Sequence, residues 1–150
     1  MVYAVIVAVL FAGDFFLKNQ IEKKIEEKEK REICHRKIVI RKYHNKGAAL
    51  NLMEKSPRLL RTICGGMILM FGIIWYLLLR KKQNPGILFG ISLILGGGAS
   101  NLYDRIVRGY VVDYFSFCTP WERLNRIVFN LSDMFIFLGS ILIVVFGSRK

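Results

Sequence analysis

Residues 127–146 read IVFNLSDMFIFLGSILIVVF, a run of 20 residues that is apolar except at a few positions. About 20 such residues are needed for a helix to span the hydrocarbon core of a bilayer. Asn130 and Asp133 interrupt the run near its start. A carboxylate costs roughly 2.5 to 3.5 kcal/mol at the centre of a membrane helix and less near an end. The run therefore predicts a membrane helix in which Asp133 has a function.

Three further apolar blocks lie at 2–17, 62–79 and 87–103. The chain of 150 residues is 53% hydrophobic, although it carries 23 Lys and Arg and 11 Asp and Glu, so apolar and charged residues are segregated. A soluble protein of this size would need four helices buried on nearly all sides. We therefore predict one all-α membrane domain over 1–150 with four transmembrane helices. The block at 2–17 is interpreted as a retained helix, because no basic residue precedes it and no small-residue cleavage site follows.

The long connection after the first block has two parts. Residues 18–37 are densely charged and favour a solvated arm over a short exposed helix. The following KIVIRKY is rich in β-branched residues and predicts a short strand, and Asn45-Lys46-Gly47 then predicts a turn.

Four spanning helices would bring most of the unusual polar residues to one face of the membrane. The end of the first helix, the start of the second, the end of the third and the start of the fourth would share that face. The residues concerned are Asp14, Lys18, Asn45, Asn101, Asp104, Arg105, Asp113, Asn130 and Asp133. The positive-inside rule would put this face in the cytoplasm, because most Lys and Arg lie in the two connections on the same side.

Asp113, in the predicted loop GYVVDYFSF, and Asp133 are both flanked by apolar and aromatic residues. Burial favours the protonated carboxyl, and two carboxyls in close contact share a proton. Such a pair can activate water for peptide hydrolysis without a metal or a nucleophilic side chain. Transport of ions or protons is the rival use of intramembrane carboxylates. The simpler interpretations are an ion-pair or capping role for Asp104-Arg105 and an i,i+4 salt bridge between Asp14 and Lys18.

Other classes of site find little support in the sequence. The three cysteines form no metal motif, and His35 and His44 lack further ligands at zinc spacing, so both are interpreted as surface histidines. The GGGAS at 96–100 lacks the lysine of a phosphate-binding loop and favours close helix packing. The net charge of +12 suits contact with anionic phospholipid, and no nucleic-acid motif accompanies it. No metal, cofactor or nucleic acid is expected.

Five blocks of the sequence together resemble the lipoprotein signal peptidase (signal peptidase II) family. In order they are DFFLK at 14–18, NKGAAL at 45–50, GGASNLYDR at 97–105, GYVVDY at 109–114 and FNLSD at 129–133. They cover nearly the whole chain, and the set of five is far more specific than any one of them.

The resemblance implies an aspartic membrane peptidase of the bacterial cytoplasmic (inner) membrane with its active site near the extracytoplasmic face. Such an enzyme removes the signal peptide from diacylglyceryl-modified prolipoproteins, before the modified Cys, and is inhibited by globomycin. Asp113 and Asp133 match the catalytic pair. Residues matching substrate- or inhibitor-binding positions are Asn45, Gly47, Asn101, Arg105 and Asn130, and those matching structural support are Asp14, Lys18 and Asp104. The family also places a small β-rich extracytoplasmic lobe in the first long connection, here about 18–58.

Three positions depart from the family pattern. Ser100 stands where Gly usually precedes Asn, Leu50 replaces Phe, and Ser132 replaces Ala before the second aspartate. The basic segment 20–37 is also atypical, which leaves the shape of the outer lobe open.

Overall fold

The computed structural model describes residues 1–26, 29–48, 53–81 and 84–148. Leu50 lies outside these ranges. The chain is mostly helical, with a small three-stranded sheet. The helices are α1 (Val2–Lys24), α2 (Pro57–Arg80), α3 (Pro85–Val107), α4 (Glu122–Asn125) and α5 (Leu131–Gly147), and the strands are β1 (Lys30–Ile33), β2 (Ile38–Asn45) and β3 (Val111–Phe117).

Three helices, α1, α2 and α3, are long and apolar enough to cross a membrane. The fourth apolar helix, α5, has 17 residues and is shorter than those three. The prediction of a membrane protein with apolar helices is confirmed. The count of four spans stays a prediction.

The sheet is antiparallel with the order β1-β2-β3. Its strands come from two separate connections, because β3 lies between α3 and α5 and pairs with β2. Asp113 therefore lies on a strand opposite Tyr43, and not in a loop as predicted. Five of the seven residues of 111–117 (VVDYFSF) are β-branched or aromatic, which favours the strand.

The charged segment 18–37 also differs from the predicted solvated arm. Helix α1 continues through Lys24, and Lys30–Ile33 pairs with β2 along the edge of the sheet. The side chains of β1 are exposed, so the strand uses backbone pairing and leaves its charges in solvent.

Helix α3 is the centre of the bundle, and three consecutive glycines bring a different helix close to it on each side. A Cβ added at Gly96 would lie 2.9 Å from Leu10 of α1, and one at Gly97 would lie 2.6 Å from the Ser132 carbonyl oxygen of α5. One added at Gly98 would overlap the side chain of Ile68 of α2. Successive helical residues point about 100° apart, so each of the three adjacent glycines allows a different helix to pack closely against α3. The interpretation of GGGAS as a packing motif is confirmed.

Helix α5 begins at Leu131, four residues later than the apolar run predicts. The preceding residues are extended, and Phe129 pairs with Phe115 of β3. Asn130 is the N-cap, and its side chain and that of Asp133 form a capping box. The cap stops the helix where hydropathy alone would extend it.

Candidate active site

Asp113 and Asp133 line one cavity of about 370 Å³ at the junction of the sheet and the helix bundle. Asp113 comes from β3 and is 2% exposed, whereas Asp133 is half-buried in the first turn of α5. Asn45, Asn101 and Arg105 line the same cavity. The structure thus brings the two predicted catalytic residues together with three of the predicted binding residues.

Asn130 links the two carboxylates. Its side-chain Nδ2 donates to Asp113 Oδ1 at 2.7 Å, and its backbone N donates to Asp133 Oδ2 at 3.0 Å. Its Oδ1 accepts from the backbone N of Asp133 at 2.9 Å. Asn130 is fully buried, so these contacts are shielded from water. One residue therefore fixes both aspartates relative to each other.

A second asparagine approaches each carboxylate from another element. Asn45 Nδ2 of β2 donates to Asp113 Oδ2 at 3.0 Å, and Asn101 Nδ2 of α3 donates to Asp133 Oδ1 at 3.0 Å. Burial, followed by the charge of Asp133, raises the pKa of Asp113 to about 7. This value poises Asp113 to hold or release a proton near neutral pH.

Lys18 lies beneath this cavity and is completely buried. Its Nζ contacts Asp14 Oδ2 at 2.8 Å, Asp104 Oδ2 at 3.2 Å and Asn101 Oδ1 at 2.7 Å. The predicted Asp14–Lys18 salt bridge is present, but inside the bundle and not at a helix end. Because Asn101 also donates to Asp133, one side chain connects this buried charge to the cavity.

Asp14 accepts hydrogen bonds from three hydroxyl groups, and the sequence did not predict these contacts. Ser100 Oγ and Ser132 Oγ donate to its Oδ2 at 2.7 and 2.5 Å, and Tyr114 OH donates to its Oδ1 at 3.0 Å. Burial and the charge of Asp14 raise the pKa of Tyr114, which keeps this hydroxyl protonated. The alternation of side chains along a strand could have indicated the role of Tyr114. Asp113 faces the cavity, so the next residue faces the opposite side, towards the helices.

Asp104 and Arg105, for which an ion-pair or capping role was predicted, have different partners. Asp104 contacts Lys18 and, at 3.1 Å, Arg108 Nε one turn later. Arg105 Nη2 donates to the carbonyl oxygen of Gly47 at 3.1 Å and so holds the predicted turn against α3. Adjacent residues of a helix point about 100° apart, which separates these two side chains.

The two histidines differ in their surroundings. His35 is exposed, as predicted. His44 is half-buried, with its Nε2 2.8 Å from Glu22 Oε1 and its ring tilted by 31° against that of Tyr110, the ring centroids lying 4.1 Å apart. It therefore anchors β2 to the end of α1, a role that the spacing of the histidines did not indicate.

Comparison with known proteins identifies related sequences over nearly the whole chain. The family model described as signal peptidase (SPase) II matches residues 6–148. A lipoprotein signal peptidase of Clostridioides difficile is 31% identical over 146 residues, which is 97% of this chain and 94% of the relative. One from Cupriavidus pinatubonensis is 33% identical over 152 residues, which is 100% of this chain and 82% of the relative.

The fold also matches a solved bacterial membrane enzyme, determined by the in meso method at 1.9 Å resolution. The TM-score is 0.81, with 22% sequence identity over 99% of this chain and 94% of that chain. The likeness shows that the two chains share a fold.

Proposed function

The chain belongs to the signal peptidase II family, and we propose on that premise that it removes the signal peptide from diacylglyceryl-modified prolipoproteins, cutting before the modified Cys. The matched relatives are named lipoprotein signal peptidases. The observation that supports the proposal most is the pair of carboxylates fixed by Asn130 in one cavity. This arrangement suits an aspartic peptidase that activates water.

In the proposed mechanism the two aspartates have different protonation states. Asp133 is the carboxylate, because it accepts a backbone N–H at the N-terminus of α5, where the helix dipole favours negative charge. Asp113 is the protonated partner, in keeping with its pKa of about 7.

Hydrolysis then follows from these two roles. Asp133 removes a proton from a water molecule as the water oxygen bonds to the scissile carbonyl carbon, and Asp113 donates its proton to the carbonyl oxygen. The tetrahedral intermediate collapses when Asp113 takes that proton back. The C–N bond breaks as Asp133 returns its proton to the amine of the modified Cys, which leaves both groups as they began.

The surroundings of the pair suit a lipid-bearing substrate. Phe129, Ile136 and Phe137 contribute apolar surface to the cavity that holds the aspartates. A neighbouring groove of about 220 Å³ runs between α2, α3 and α5 and includes Met67 and Phe71. We propose that this groove takes the acyl chains while the signal peptide follows α5.

We place the enzyme in the bacterial cytoplasmic membrane with four spans and the sheet at the extracytoplasmic face. The 17 residues of α5 would extend roughly 25 Å, which fits a span that starts at the membrane edge. In this arrangement Asp133 avoids the bilayer centre, where a carboxylate is most costly.

The direct test is a gel-shift assay with a lipid-modified precursor, with and without globomycin. The wild-type protein is expected to release the signal peptide, and globomycin is expected to block release. Asp113→Asn and Asp133→Asn are each expected to lower the rate at least about 100-fold, because each removes one proton-transfer group. Both variants must insert normally, and processing by either at the normal rate would refute the mechanism.

Ion or proton transport is the function that sequence alone left open. The buried acidic side chains of the helices cluster around Lys18, and α2 carries no acidic residue. A cluster at one site favours local chemistry over a relay across the membrane. Carboxylate-dependent flux in proteoliposomes without release of peptide would reverse this preference.

A further inference from the structure

A second cavity, of about 260 Å³, adjoins Asp113 on the side of the sheet. It shares Asn45, Asp113, Ile127 and Val128 with the larger cavity, and the residues that line it alone are Arg41, Tyr43 and Arg126. We call it the arginine cavity. Asp113 therefore lies between two cavities, and only the arginine cavity contains Arg41 and Arg126.

Strand β2 presents Arg41, Tyr43 and Asn45 to the arginine cavity because alternate residues of a strand share a face. The intervening Lys42 and His44 reach Glu22 of α1 instead. The pairing of β2 with β3 shifts register between Ile40 and Tyr43, an interval that contains Arg41 and Lys42. Such bulges often re-aim a side chain beside an active site.

The guanidinium of Arg41 has capacity for another acceptor. Its Nη2 donates to the carbonyl oxygens of Asn125 at 3.2 Å and Arg126 at 3.4 Å, which ties it to the segment before α5. Its Nε is buried and has no hydrogen-bond partner in the described part of the chain. Of the carboxylates in the ranges given above, none forms an ion pair with Arg41. A planar guanidinium with free N–H groups is well suited to a carboxylate.

The two spaces match the two sides of the proposed cleavage point. The larger cavity has apolar walls from Phe129, Ile136 and Phe137, suited to an apolar signal peptide. The arginine cavity carries two guanidinium groups and a phenol. Resting on the proposed function, we propose that the arginine cavity binds the polypeptide just downstream of the scissile bond and favours an acidic side chain there.

The experiment compares three synthetic lipid-modified precursors that carry Asp, Asn or Lys at the second residue after the modified Cys. Cleavage is measured in neutral detergent without added phospholipid. The wild-type kcat/KM is expected to be about five-fold higher for Asp than for Lys, the size typical of a partly exposed ion pair. Arg41→Gln is expected to bring this ratio close to one, mainly through KM, and Arg41→Glu to invert it.

Two matched variants separate this effect from loss of fold. Arg123→Gln removes the same charge from exposed α4 outside the cavity and is expected to keep the wild-type ratio. Arg126→Gln changes an exposed residue that lines the cavity and is expected to lower the ratio in part. The Arg126→Gln variant therefore tests the charge preference of the cavity even if Arg41→Gln melts at a lower temperature than the wild type.

The outcomes distinguish the inference from the function on which it rests. Failure of the wild type to cleave any precursor would refute the proposed function. Cleavage of all three precursors at equal kcat/KM would refute the inference alone. If the effect of Arg41→Gln followed the anionic lipid content of added vesicles and not the substrate residue, the cavity would bind a headgroup, and the inference would be wrong.

Discussion

Asn130 combines a structural and a chemical role in one side chain. Its Oδ1 caps α5, and its Nδ2 donates to Asp113. Ser caps a helix about as well as Asn, but it is too short to replace the donor to Asp113. Substitution can therefore separate the two roles.

We predict that Asn130→Ser lowers the cleavage rate at least about ten-fold while the melting temperature in detergent stays near that of the wild type. Asn130→Ala loses the cap as well, which costs about a further 1 kcal/mol of stability. Equal melting temperatures for the two variants would contradict the capping role. Wild-type activity in Asn130→Ser would contradict the chemical one.

The pKa of Asp113 leads to a prediction about pH. Burial first, and then the charge of Asp133, raise this pKa to about 7. Because the proposed mechanism needs the protonated form, kcat/KM is expected to fall about ten-fold per pH unit above pH 7. The hydrogen bond from Asn45 lowers the same pKa. Asn45→Ala should therefore move the alkaline limb to higher pH, and an unmoved limb would contradict the assignment of the proton to Asp113.

At the scale of elements, the packing of α5 on α3 determines where Asp133 lies. Gly90 and Gly139 approach each other closely further along the same pair of helices. Gly97 and the Ser132 carbonyl oxygen form a similar contact beside the active site. The position of Asp133 therefore depends on glycines, which have no side chain, at the contact between α3 and α5.

We predict that Gly97→Ala destabilises the protein by about 1–3 kcal/mol, because its Cβ would lie 2.6 Å from backbone that cannot move alone. Activity should fall with it as α5 is displaced. Gly72→Ala is the matched control, since no atom lies within 4 Å of its added Cβ. The control should melt at or above the wild-type temperature, and equal melting of both variants would contradict the packing argument.

The sequence predicts the elements better than their ends. The apolar runs locate the four long helices because hydropathy reports contact with lipid or core. They misplace the start of α5, since the cap at Asn130 depends on hydrogen bonds that hydropathy does not report. Strand β3 was missed because β2, its partner, lies in a distant connection.

The candidate site was also predicted only in part. The sequence motifs indicate which residues lie near the two aspartates, but they do not indicate which side chains contact each other. An ion-pair or capping role was expected for Asp104, but the motif did not indicate that its partner would be Lys18 of another helix. The serines at 100 and 132 were seen as isolated departures from the pattern. Only the folded chain shows that both donate to Asp14.

At the scale of the whole molecule, the main feature is the orientation of the protein in the membrane. The charge count favours a cytoplasmic position for the sheet, whereas the proposed function needs an external one. Lys18 contributes to that count, although it is buried among Asp14 and Asp104. As a buried residue of α1, Lys18 adds no charge to the exposed surface of this side in the folded protein.

We predict that an impermeant maleimide labels Cys34 and Cys118 in intact cells, since both are exposed at the sheet. Ser148→Cys in a cysteine-free background should react only after permeabilisation, because four spans put the end of α5 on the opposite side. Protection of Cys34 and Cys118, with ready labelling at position 148, would invert the topology. Labelling of all three positions from one side would contradict the four spans.

The contacts between α3 and α5 also bear on the order of events during synthesis. Asp133 and Asn130 emerge from the ribosome after the other helices of the bundle, and Asp113 receives its hydrogen bond from Asn130 only when α5 has docked. A nascent chain that holds α1, α2 and α3 in the membrane therefore lacks half of the pair. On the proposed mechanism, a chain that lacks one of the two carboxylates cannot activate water, so cleavage would begin only when the last helix has inserted.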